Sequence, residues 1–355
     1  LYLMEIIGEV LLFRKFILFL PSFVSGIIKG GNYMELLEIR EKTEKIKTNM
    51  QKVVVGQDKT IDLLLVALIA NGHVLLEDVP GTGKTVMAKT MAKSIDGVFK
   101  RIQFTPDLLP SDITGIHFYN QQKSEFVFRK GPVFTNILLA DEINRATPRT
   151  QSSLLESMEE RQVTIDGETH DLQDPFLVIA TQNPVESQGT FPLPEAQLDR
   201  FLLKIKMGYP SKEEGIAILQ RFKQQNPLEQ LTSVVTVEEI VEMQNIYSEV
   251  AISEDVLSYL MDVIEATRNH DNIALGVSPR GSQALLRAVQ VYALLQGRTF
   301  VTPDDIKDLA EPVLGHRIVT KQRIGMNENG VSSLIHEILA KVPVPTENEK
   351  DLIER

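Results

Sequence analysis

The sequence predicts an α/β domain, built on a five-stranded parallel sheet with flanking helices and followed by a small all-α domain. Three observations lead to this fold class. Helix-like and strand-like segments alternate after Met34, which is the pattern of an α/β domain. Strand-like segments stop near Val234, and only helix-start signals follow. At 355 residues the chain is also longer than one ordinary core, so two domains are expected.

Five short segments have the composition of strands. Continuous apolar runs suit central strands that are buried on both faces, whereas alternation with charged residues suits an edge strand. In the last segment apolar residues alternate with Lys204 and Lys206, so this strand is predicted at an edge of the sheet. The predicted strands cover residues 74–77, 102–104, 137–140, 176–180 and 203–207.

The stretch PGTGKT, residues 80–85, follows the first predicted strand and opens a predicted helix, which is the context of a phosphate-binding loop. Gly81 and Gly83 allow backbone N–H groups to approach phosphate oxygens, and the helix N-terminus adds its dipole. Lys84 would reach the β- and γ-phosphates, and Thr85 would hold Mg²⁺. The flanking strand and helix disfavour the alternative, a glycine-rich turn with a chance Lys-Thr. The predicted nucleotide contacts here are Pro80, Gly81, Thr82, Gly83, Lys84, Thr85 and Val86.

Asp78 stands where the pattern of such a loop has its first glycine. Aspartate is among the few residues besides glycine that tolerate a bend or a positive φ at the end of a strand. Its carboxylate is expected to point away from the phosphates, toward local backbone N–H groups. The loop is therefore still expected to bind a nucleotide.

The stretch ILLADEINRA, residues 137–146, carries two acids at the carboxyl end of a buried strand, where ligands of parallel sheets bind. Asp141 suits the magnesium shell, and Glu142 can polarise the attacking water. The alternative is an acidic strand end that faces solvent. A further strand, in LVIATQNP, ends in Thr181, Gln182 and Asn183, whose polar side chains can orient the same water or simply cap the strand.

Composition narrows the class of protein. Apolar residues make up 43% and charged residues 24%, as in soluble globular proteins. The net charge of −11 disfavours a surface built to follow nucleic acid. The chain has no cysteine, which excludes disulfides and zinc–thiolate sites and is compatible with a reducing cytoplasm. The six histidines show no metal-ligand spacing along the sequence.

Residues 1–33 are expected to lie outside the fold, as an upstream extension or a weak membrane anchor. The apolar stretch 16–28 follows Arg14 and Lys15, but it is short for a membrane-spanning helix and contains Pro21. The stretch also resembles a signal peptide. An exported chain would meet almost no ATP, so a cytoplasmic location is preferred, with membrane association through this segment as the remaining possibility.

The order of six motifs resembles the MoxR family of AAA+ ATPases. The motifs are VVVGQ (53–57), PGTGKT, LLADEINRA, ATQNP, FPLPEAQLDRF (191–201) and VSPRG (277–281), and the resemblance extends over about residues 45–342. The family accepts an acidic residue at position 78. The resemblance implies a P-loop AAA+ core with a helical lid, and ATP with Mg²⁺ as ligands. The chain has no Asn-Lys-x-Asp guanine signature, so ATP is preferred over GTP.

The resemblance also implies roles for residues outside the phosphate loop. Asn183 would be the sensor that holds the water, and Arg200 the arginine finger that reaches the γ-phosphate in a neighbouring subunit. The alternative for Arg200 is a salt bridge within its own subunit, with Asp199 or Glu195. Arg280 would be the second sensor, reaching back from the lid. The adenine pocket would be lined by Val55, Gly56 and Gln57, and the implied catalytic set is Lys84, Glu142, Asn183, Arg200 and Arg280.

Arg280 is also predicted to need an anion for a physical reason. It falls in the first turn of a helix that begins at Ser278-Pro279, where the helix dipole disfavours a cation. A neighbouring carboxylate or a γ-phosphate would satisfy it.

Two insertions are predicted to form β-hairpins. Residues 115–119 and 125–128 flank a turn, and Asp166-Gly167 lies between alternating residues, which is a strong signal for a two-residue hairpin. They resemble the helix-2 insert and the pre-sensor hairpin of related AAA+ rings, where such loops face a central pore and could grip a client. The alternative is a pair of plain surface hairpins whose aromatic residues pack the hairpin itself, namely Phe118, Tyr119, Phe126 and Phe128.

The second domain is predicted from helix-start signals. Thr236 with Glu239 and Thr302 with Asp305 form capping boxes, and Ser253 and Ser278 are further N-caps. The predicted domains are an α/β core at 34–230, a helical lid at 231–345 and a tail at 346–355. In the helix after Ser253 one apolar face is expected to hold Val256, Leu257, Leu260, Met261 and Ile264.

The predicted function is Mg²⁺-dependent ATP hydrolysis in a ring of subunits, expected to be a hexamer, that remodels or matures protein clients. The resemblance implies a partner with a von Willebrand factor A domain. One alternative is a nucleotide-gated scaffold with little turnover. The other is a DNA-acting motor, which the acidic balance disfavours.

Overall fold

The computed structural model describes residues 30–77, 81–122, 124–183, 189–224, 227–321 and 329–345. Its centre is a five-stranded sheet in the order β2-β5-β8-β1-β9, and all neighbouring strands are parallel. The five predicted strands and the fold class are therefore confirmed. The strands are β1 (Val74–Glu77), β2 (Phe99–Gln103), β5 (Ile137–Asp141), β8 (Leu177–Gln182) and β9 (Leu203–Lys206).

Burial distinguishes the central strands of the sheet from the edge strand β9. Every residue of β1 is buried, as is every residue of β5 and β8 except the last one of each strand. In β9 Leu203 and Ile205 are buried and alternate with the lysines, and this strand lies at the edge as predicted. Because successive side chains point to opposite faces, Leu138 and Leu139 enter two different hydrophobic clusters, one on each side of the sheet.

Helices cover both faces of the sheet and extend into the second domain. The first of them begins at Gly30, so residues 30–33, which were expected outside the fold, form its first turn. The helices are α1 (Gly30–Gln51), α2 (Asp58–Ile69), α3 (Lys84–Ser94), α4 (Pro110–Thr114), α5 (Pro148–Glu160), α6 (Glu195–Leu198), α7 (Lys212–Gln224), α8 (Pro227–Gln230), α9 (Val237–Ile246), α10 (Glu254–Asn269), α11 (Pro279–Leu295), α12 (Pro303–Leu314) and α13 (Asn329–Lys341).

Both predicted hairpins are present. Strand β3 (Gly115–Asn120) pairs with β4 (Glu125–Lys130), and β6 (Gln162–Ile165) pairs with β7 (Glu168–Asp171), both antiparallel. Asp166 and Gly167 have φ values of 52° and 87°, which is the left-handed conformation that a two-residue hairpin turn requires. Phe128 packs against Phe134, whereas Phe126 is 72% exposed. The aromatic residues of the first hairpin therefore divide between packing and exposure.

The second domain is mainly helical, and its predicted caps are formed. The side chain of Thr236 accepts a hydrogen bond from the backbone of Glu239, and Ser253 and Ser278 cap α10 and α11. Two details differ from expectation. Strands β10 (Ile273–Leu275) and β11 (Val319–Thr320) form a small antiparallel pair. In α10, Leu257 and Met261 are exposed, because Tyr259 and Val263 turn toward the core in their place.

The helical domain shares a hydrophobic core with the α/β domain. Helix α11 packs against α1 and α2, and Leu285 and Val289 of α11 belong to the same buried cluster as Leu64 of α2. The start of α11 is therefore fixed relative to the sheet. Among the described helices, none is long and apolar enough to cross a membrane. The apolar stretch 16–28 lies outside the described residues.

Candidate nucleotide site

A cavity of about 420 Å³ opens at the carboxyl ends of the parallel strands, where the predicted site was expected. It unites the described part of the phosphate loop with the acids of β5 and the polar end of β8. Its lining residues are Gly81, Thr82, Gly83, Lys84, Thr85, Val86, Arg101, Gln103, Asp141, Glu142, Thr181, Gln182 and Asn183.

The loop has room for a phosphate chain. Gly81 and Gly83 have φ values of 89° and 91°, a conformation that residues with a side chain rarely adopt. A Cβ atom built on either glycine would meet no atom within 4 Å, so the space beside the backbone is open. Helix α3 begins at Lys84, directly after Gly83. The open backbone, the lysine and the start of the helix therefore fit an anionic phosphate. The predicted contact Pro80, like Asp78, lies outside the described residues.

Asp141 is held in place by two partners. Its Oδ1 accepts a hydrogen bond from the Thr181 hydroxyl at 2.6 Å, and its Oδ2 accepts one from the Arg101 guanidinium at 2.6 Å. A carboxylate and the hydroxyl of Thr85 in one cavity are oxygen ligands of the kind that Mg²⁺ prefers. The donor set therefore fits the magnesium site that the sequence predicts.

Glu142 lies in the left-handed region, with a φ of 57°, at the residue that follows β5. Its backbone N–H donates to the Thr181 hydroxyl at 2.9 Å, so one threonine positions both neighbouring acids. The Glu142 carboxylate accepts hydrogen bonds from Gln103 at 2.6 Å and pairs with Arg145 at 3.0 Å. These contacts fix the carboxylate at the edge of the cavity.

Sequence reasoning missed Arg101 and Gln103. Both lie on β2, and the strand register places Gln103 directly beside Asp141. The signal was available, since two polar side chains two residues apart share one face of a strand and point toward the same neighbour. Thr181 was expected to orient water or to cap the strand, but its hydroxyl instead connects Asp141 with Glu142.

The residues predicted for the adenine pocket are not part of this cavity. Gly56 has a φ of 71°, a conformation that residues with a side chain rarely adopt, and a Cβ there would displace the carboxylate end of Glu214. Gln57 precedes α2 and accepts a hydrogen bond from the Thr60 hydroxyl at 2.8 Å. A second cavity of about 440 Å³ begins at Lys59 and Thr60 and extends to the helical domain. The role of residues 55–57 stays a prediction.

Arg200 and Arg280 lie together in a third cavity, of about 330 Å³. Arg200 pairs with one carboxylate oxygen of Glu159 at 2.9 Å, and Arg280 pairs with the other at 2.9 Å. The intrasubunit partner of Arg200 is therefore Glu159, not Asp199 or Glu195. Arg280 lines this cavity and not the phosphate-loop cavity of its own chain, and the Ser278 hydroxyl, which donates to Asp199 at 3.1 Å, holds the start of α11 beside Arg200.

The third cavity is strongly cationic, and we call it the arginine pocket. Its lining includes five arginines against two carboxylates, those of Glu159 and Asp199. Sequence reasoning missed three of these arginines, because they come from distant parts of the chain and belong to no contiguous motif. The five arginines are Arg161, Arg200, Arg280, Arg287 and Arg317.

Burial shifts the pKa values of basic groups in this pocket. Burial lowers the pKa of Arg317 to about 10, although its guanidinium pairs with Asp199 at 2.7 Å. Burial, assisted by the Arg161 charge, lowers the pKa of His73 to about 3. The neutral imidazole of His73 donates to the Met158 carbonyl at 2.9 Å and accepts from the Val178 N–H at 3.1 Å.

The two sites lie at opposite ends of one strand. Residues 70–73, which line the arginine pocket, precede β1, and the phosphate loop follows it. Four residues at about 3.3 Å each separate the two ends by about 13 Å. An arginine side chain that is paired at one end does not reach a phosphate at the other end.

The fold and the cavity define the class of protein: a nucleotide-binding protein of the P-loop type with a helical lid. A family model described as "ATPase family associated with various cellular activities (AAA)" matches residues 73–203, and a model of the AAA lid domain matches residues 265–338.

Similar proteins narrow this class. "Uncharacterized protein YeaC" from Bacillus subtilis is 50% identical over 85% of this chain and 95% of its own length. "Chaperone MoxR1" from Mycobacterium tuberculosis is 41% identical over 86% of this chain and 83% of its own length. The crystal structure of a proposed ATPase from Cytophaga hutchinsonii superposes with a TM-score of 0.83 at 41% identity, covering 89% of this chain and 99% of that one. The chain belongs to the MoxR family of AAA+ ATPases.

Proposed function

We propose that this protein hydrolyses ATP with Mg²⁺ in the phosphate-loop cavity, and that it works as a ring of identical subunits that remodels protein clients. One observation carries the hydrolysis: the loop residues 81–86, Asp141, Glu142 and Asn183 line a single cavity. A binding loop without a base next to it would suit a switch, whereas this cavity also contains Glu142 as a candidate base and Asn183 as a candidate for orienting water.

Each group in the cavity has a task that its chemistry supports. Lys84 and the loop N–H groups bind phosphate oxygens, and Thr85 with Asp141 would hold Mg²⁺, which neutralises phosphate charge when bound. Glu142 accepts the proton of the attacking water as a general base. Asn183 orients that water through its amide.

The position of the arginines supports the proposed ring. Arg200 and Arg280 share one carboxylate at the far end of β1, so neither serves the phosphate loop of its own chain. A neighbouring subunit that presents its phosphate loop to the arginine pocket would supply an anion for both. Guanidinium groups suit this task because they stay charged and can span two phosphate oxygens. We expect Arg280 to act on the same neighbouring nucleotide as Arg200.

Client handling is supported by the first hairpin. Phe118, Tyr119 and Phe126 are exposed on it, and exposed aromatic side chains offer apolar contact to an unfolded segment of another protein. The relative named "Chaperone MoxR1" supports this direction. We expect a partner with a von Willebrand factor A domain and activity in the cytoplasm, where ATP is available. The net charge of −11 disfavours DNA as the client.

The test is the substitution Glu142→Gln, measured by ATP binding and by steady-state ATP hydrolysis. The amide fits the same space but cannot accept the proton, so binding should persist while turnover falls at least about 100-fold. Glu156→Gln, at an exposed position of α5, is the matched control and should be fully active. Near-normal turnover in Glu142→Gln would show that another group is the base. ATP binding without turnover in the unchanged protein would favour the nucleotide-gated scaffold.

A further inference from the structure

The two hairpins bring together a group of side chains that the nucleotide site does not use. His117 of β3 meets Glu168 and His170 of β7, and one potential ligand atom from each of the three lies within 4.8 Å of the other two. Glu168 and His170 are two residues apart on one strand, so their side chains point to the same face. Sequence spacing gave no sign of this group, because His117 comes from a different hairpin.

His170 carries an unused nitrogen. Its Nε2 atom is buried and has no hydrogen-bond partner among the described residues. The imidazole stacks on Phe128, with ring centroids 4.3 Å apart and planes within 13°, and Phe134 approaches the ring edge-on. The aromatic rings orient the imidazole, and its Nε2 makes no hydrogen bond to the described residues. Buried polar atoms without a partner are rare.

His117 is oriented by a carboxylate. Its Nδ1 lies 2.9 Å from Asp166 Oδ2, and its Nε2 lies 4.0 Å from Glu168 Oε2. When Nδ1–H donates to Asp166, Nε2 carries the lone pair that a metal ion would need. A carboxylate that accepts from one imidazole nitrogen while the other binds a cation is the usual arrangement behind metal-binding histidines.

We propose that His117, Glu168 and His170 bind a divalent transition metal, with Zn²⁺ as the best fit, and that Asp166 orients His117 from behind. Two imidazoles and one carboxylate suit zinc, whereas Mg²⁺ and Ca²⁺ prefer sites made only of oxygen ligands. Tetrahedral zinc needs its ligand atoms about 3.4 Å apart, and rotation of the exposed Glu168 side chain would shorten its 4.0 Å separation from His117 Nε2. A water molecule would complete the shell. The bound metal would tie β3–β4 to β6–β7.

The proposal is tested by titrating Zn²⁺ into the full chain by calorimetry, with Mg²⁺ in excess to occupy oxygen sites. The absence of cysteine simplifies the measurement, because thiolates cannot compete for the metal. We expect one zinc per chain with a dissociation constant in the micromolar range or below. His117→Gln, His170→Gln and Glu168→Gln should each weaken binding at least about tenfold, and Asp166→Asn about 10- to 100-fold. Glu168 is exposed, so its substitution leaves the fold intact.

His270→Gln is the matched control. His270 also faces a carboxylate, that of Glu337 at 3.8 Å, but no second histidine joins this pair in the described structure. Zinc binding should be unchanged in this variant. Hydrogen exchange gives a second measurement: Zn²⁺ should protect residues 115–130 and 162–171 in the unchanged protein but not in Glu168→Gln. Millimolar binding, or binding that survives His117→Gln and Glu168→Gln, would overturn the proposal.

Discussion

The phosphate-loop cavity and the arginine pocket differ in how the sequence encodes them. The first is built from short contiguous stretches at the carboxyl ends of neighbouring strands, so PGTGKT and LLADEINRA are enough to locate it. The second collects arginines from the loop after α5, the segment before β9, helix α11 and the segment after α12. One half of the proposed catalytic apparatus is therefore local in sequence, whereas the other half depends on the tertiary fold.

The two regions also differ in their balance of positive and negative side chains. In the phosphate-loop cavity Asp141 and Glu142 balance cations from the same subunit, namely Arg101 and Arg145. In the arginine pocket two carboxylates face five arginines, so positive charge is left over. An excess of this kind attracts an anion, and in the proposed ring a neighbour's nucleotide would supply one.

Arg200→Ala should lower ATP turnover by about 10³- to 10⁵-fold while ATP binding persists, because a trans-acting arginine contributes this much to the rate. Steady-state hydrolysis and nucleotide binding measure the two effects. Mixing Arg200→Ala with Glu142→Gln subunits should then recover activity, since some interfaces regain an intact Glu142 on one side and an intact Arg200 on the other.

The control for this mixture is a chain that carries both substitutions, combined with Glu142→Gln subunits. No interface in that combination has an intact Glu142, so it should stay inactive. If mixing exchangeable subunits restores nothing, or if Arg200→Ala is nearly as active as the unchanged protein, then the pair with Glu159 is structural and the two regions do not cooperate.

Asp199→Asn should lower the free energy of unfolding by about 2–3 kcal/mol, because it removes the charged partner of buried Arg317 and weakens the Ser278 cap contact. Chemical denaturation measures this loss. Asp174→Asn is the control: it removes the exposed partner of Arg161, 3.8 Å away, and should cost less than about 1 kcal/mol. Equal losses in the two variants would contradict the view that Asp199 organises the pocket.

Much of the fold and half of the site could be predicted from the sequence. The strands were visible because burial on both faces leaves uninterrupted apolar runs such as residues 137–140. The arginine pocket was not visible, because a single Arg161 or Arg287 looks like any surface cation until the chain folds. The predicted intrasubunit partner of Arg200 was wrong for the same reason. Its actual partner, Glu159, is 41 positions away in the sequence and adjacent only in the folded chain.

The free energy of unfolding should decrease as the pH is lowered, because His73, which lines the arginine pocket, is buried as a neutral imidazole. The pKa of His73 is about 3 in the folded protein against an ordinary value of 6.5. At pH values between about 3 and 6.5, His73 therefore binds a proton in the unfolded chain but not in the folded chain. Stability from this group is therefore complete above about pH 6.5 and is lost as the pH falls toward 3, at up to about 1.4 kcal/mol per pH unit.

Denaturation of His73→Gln at several pH values checks this linkage. Between pH 6 and 5 the free energy of unfolding should change less steeply with pH than in the unchanged protein. The difference in slope should correspond to about one bound proton. His336→Gln, at an exposed position, is the control and should leave the slope as it is. An unchanged slope in His73→Gln would mean that His73 is not buried as a neutral imidazole.

The smallest expected effect concerns the cation that pairs with Asp141. Arg101 and the proposed Mg²⁺ would compete for the same carboxylate, because the guanidinium lies 2.6 Å from Asp141 Oδ2. Arg101 is 46% exposed, so solvent screens the pair and its contribution is about 0.2–1 kcal/mol. Arg101→Gln should therefore lower the Mg²⁺ concentration for half-maximal ATPase activity by up to about fivefold.

The Arg101→Gln measurement also separates the two kinds of arginine in this protein. If Arg101 only competes with the metal, maximal turnover at saturating Mg²⁺ should be preserved, unlike in Arg200→Ala. Arg149→Gln, an exposed arginine of α5 away from the cavity, should change neither quantity. A large loss of turnover with an unchanged Mg²⁺ requirement would instead make Arg101 a catalytic cation, and the phosphate-loop cavity would then carry its own arginine beside any that a neighbour supplies.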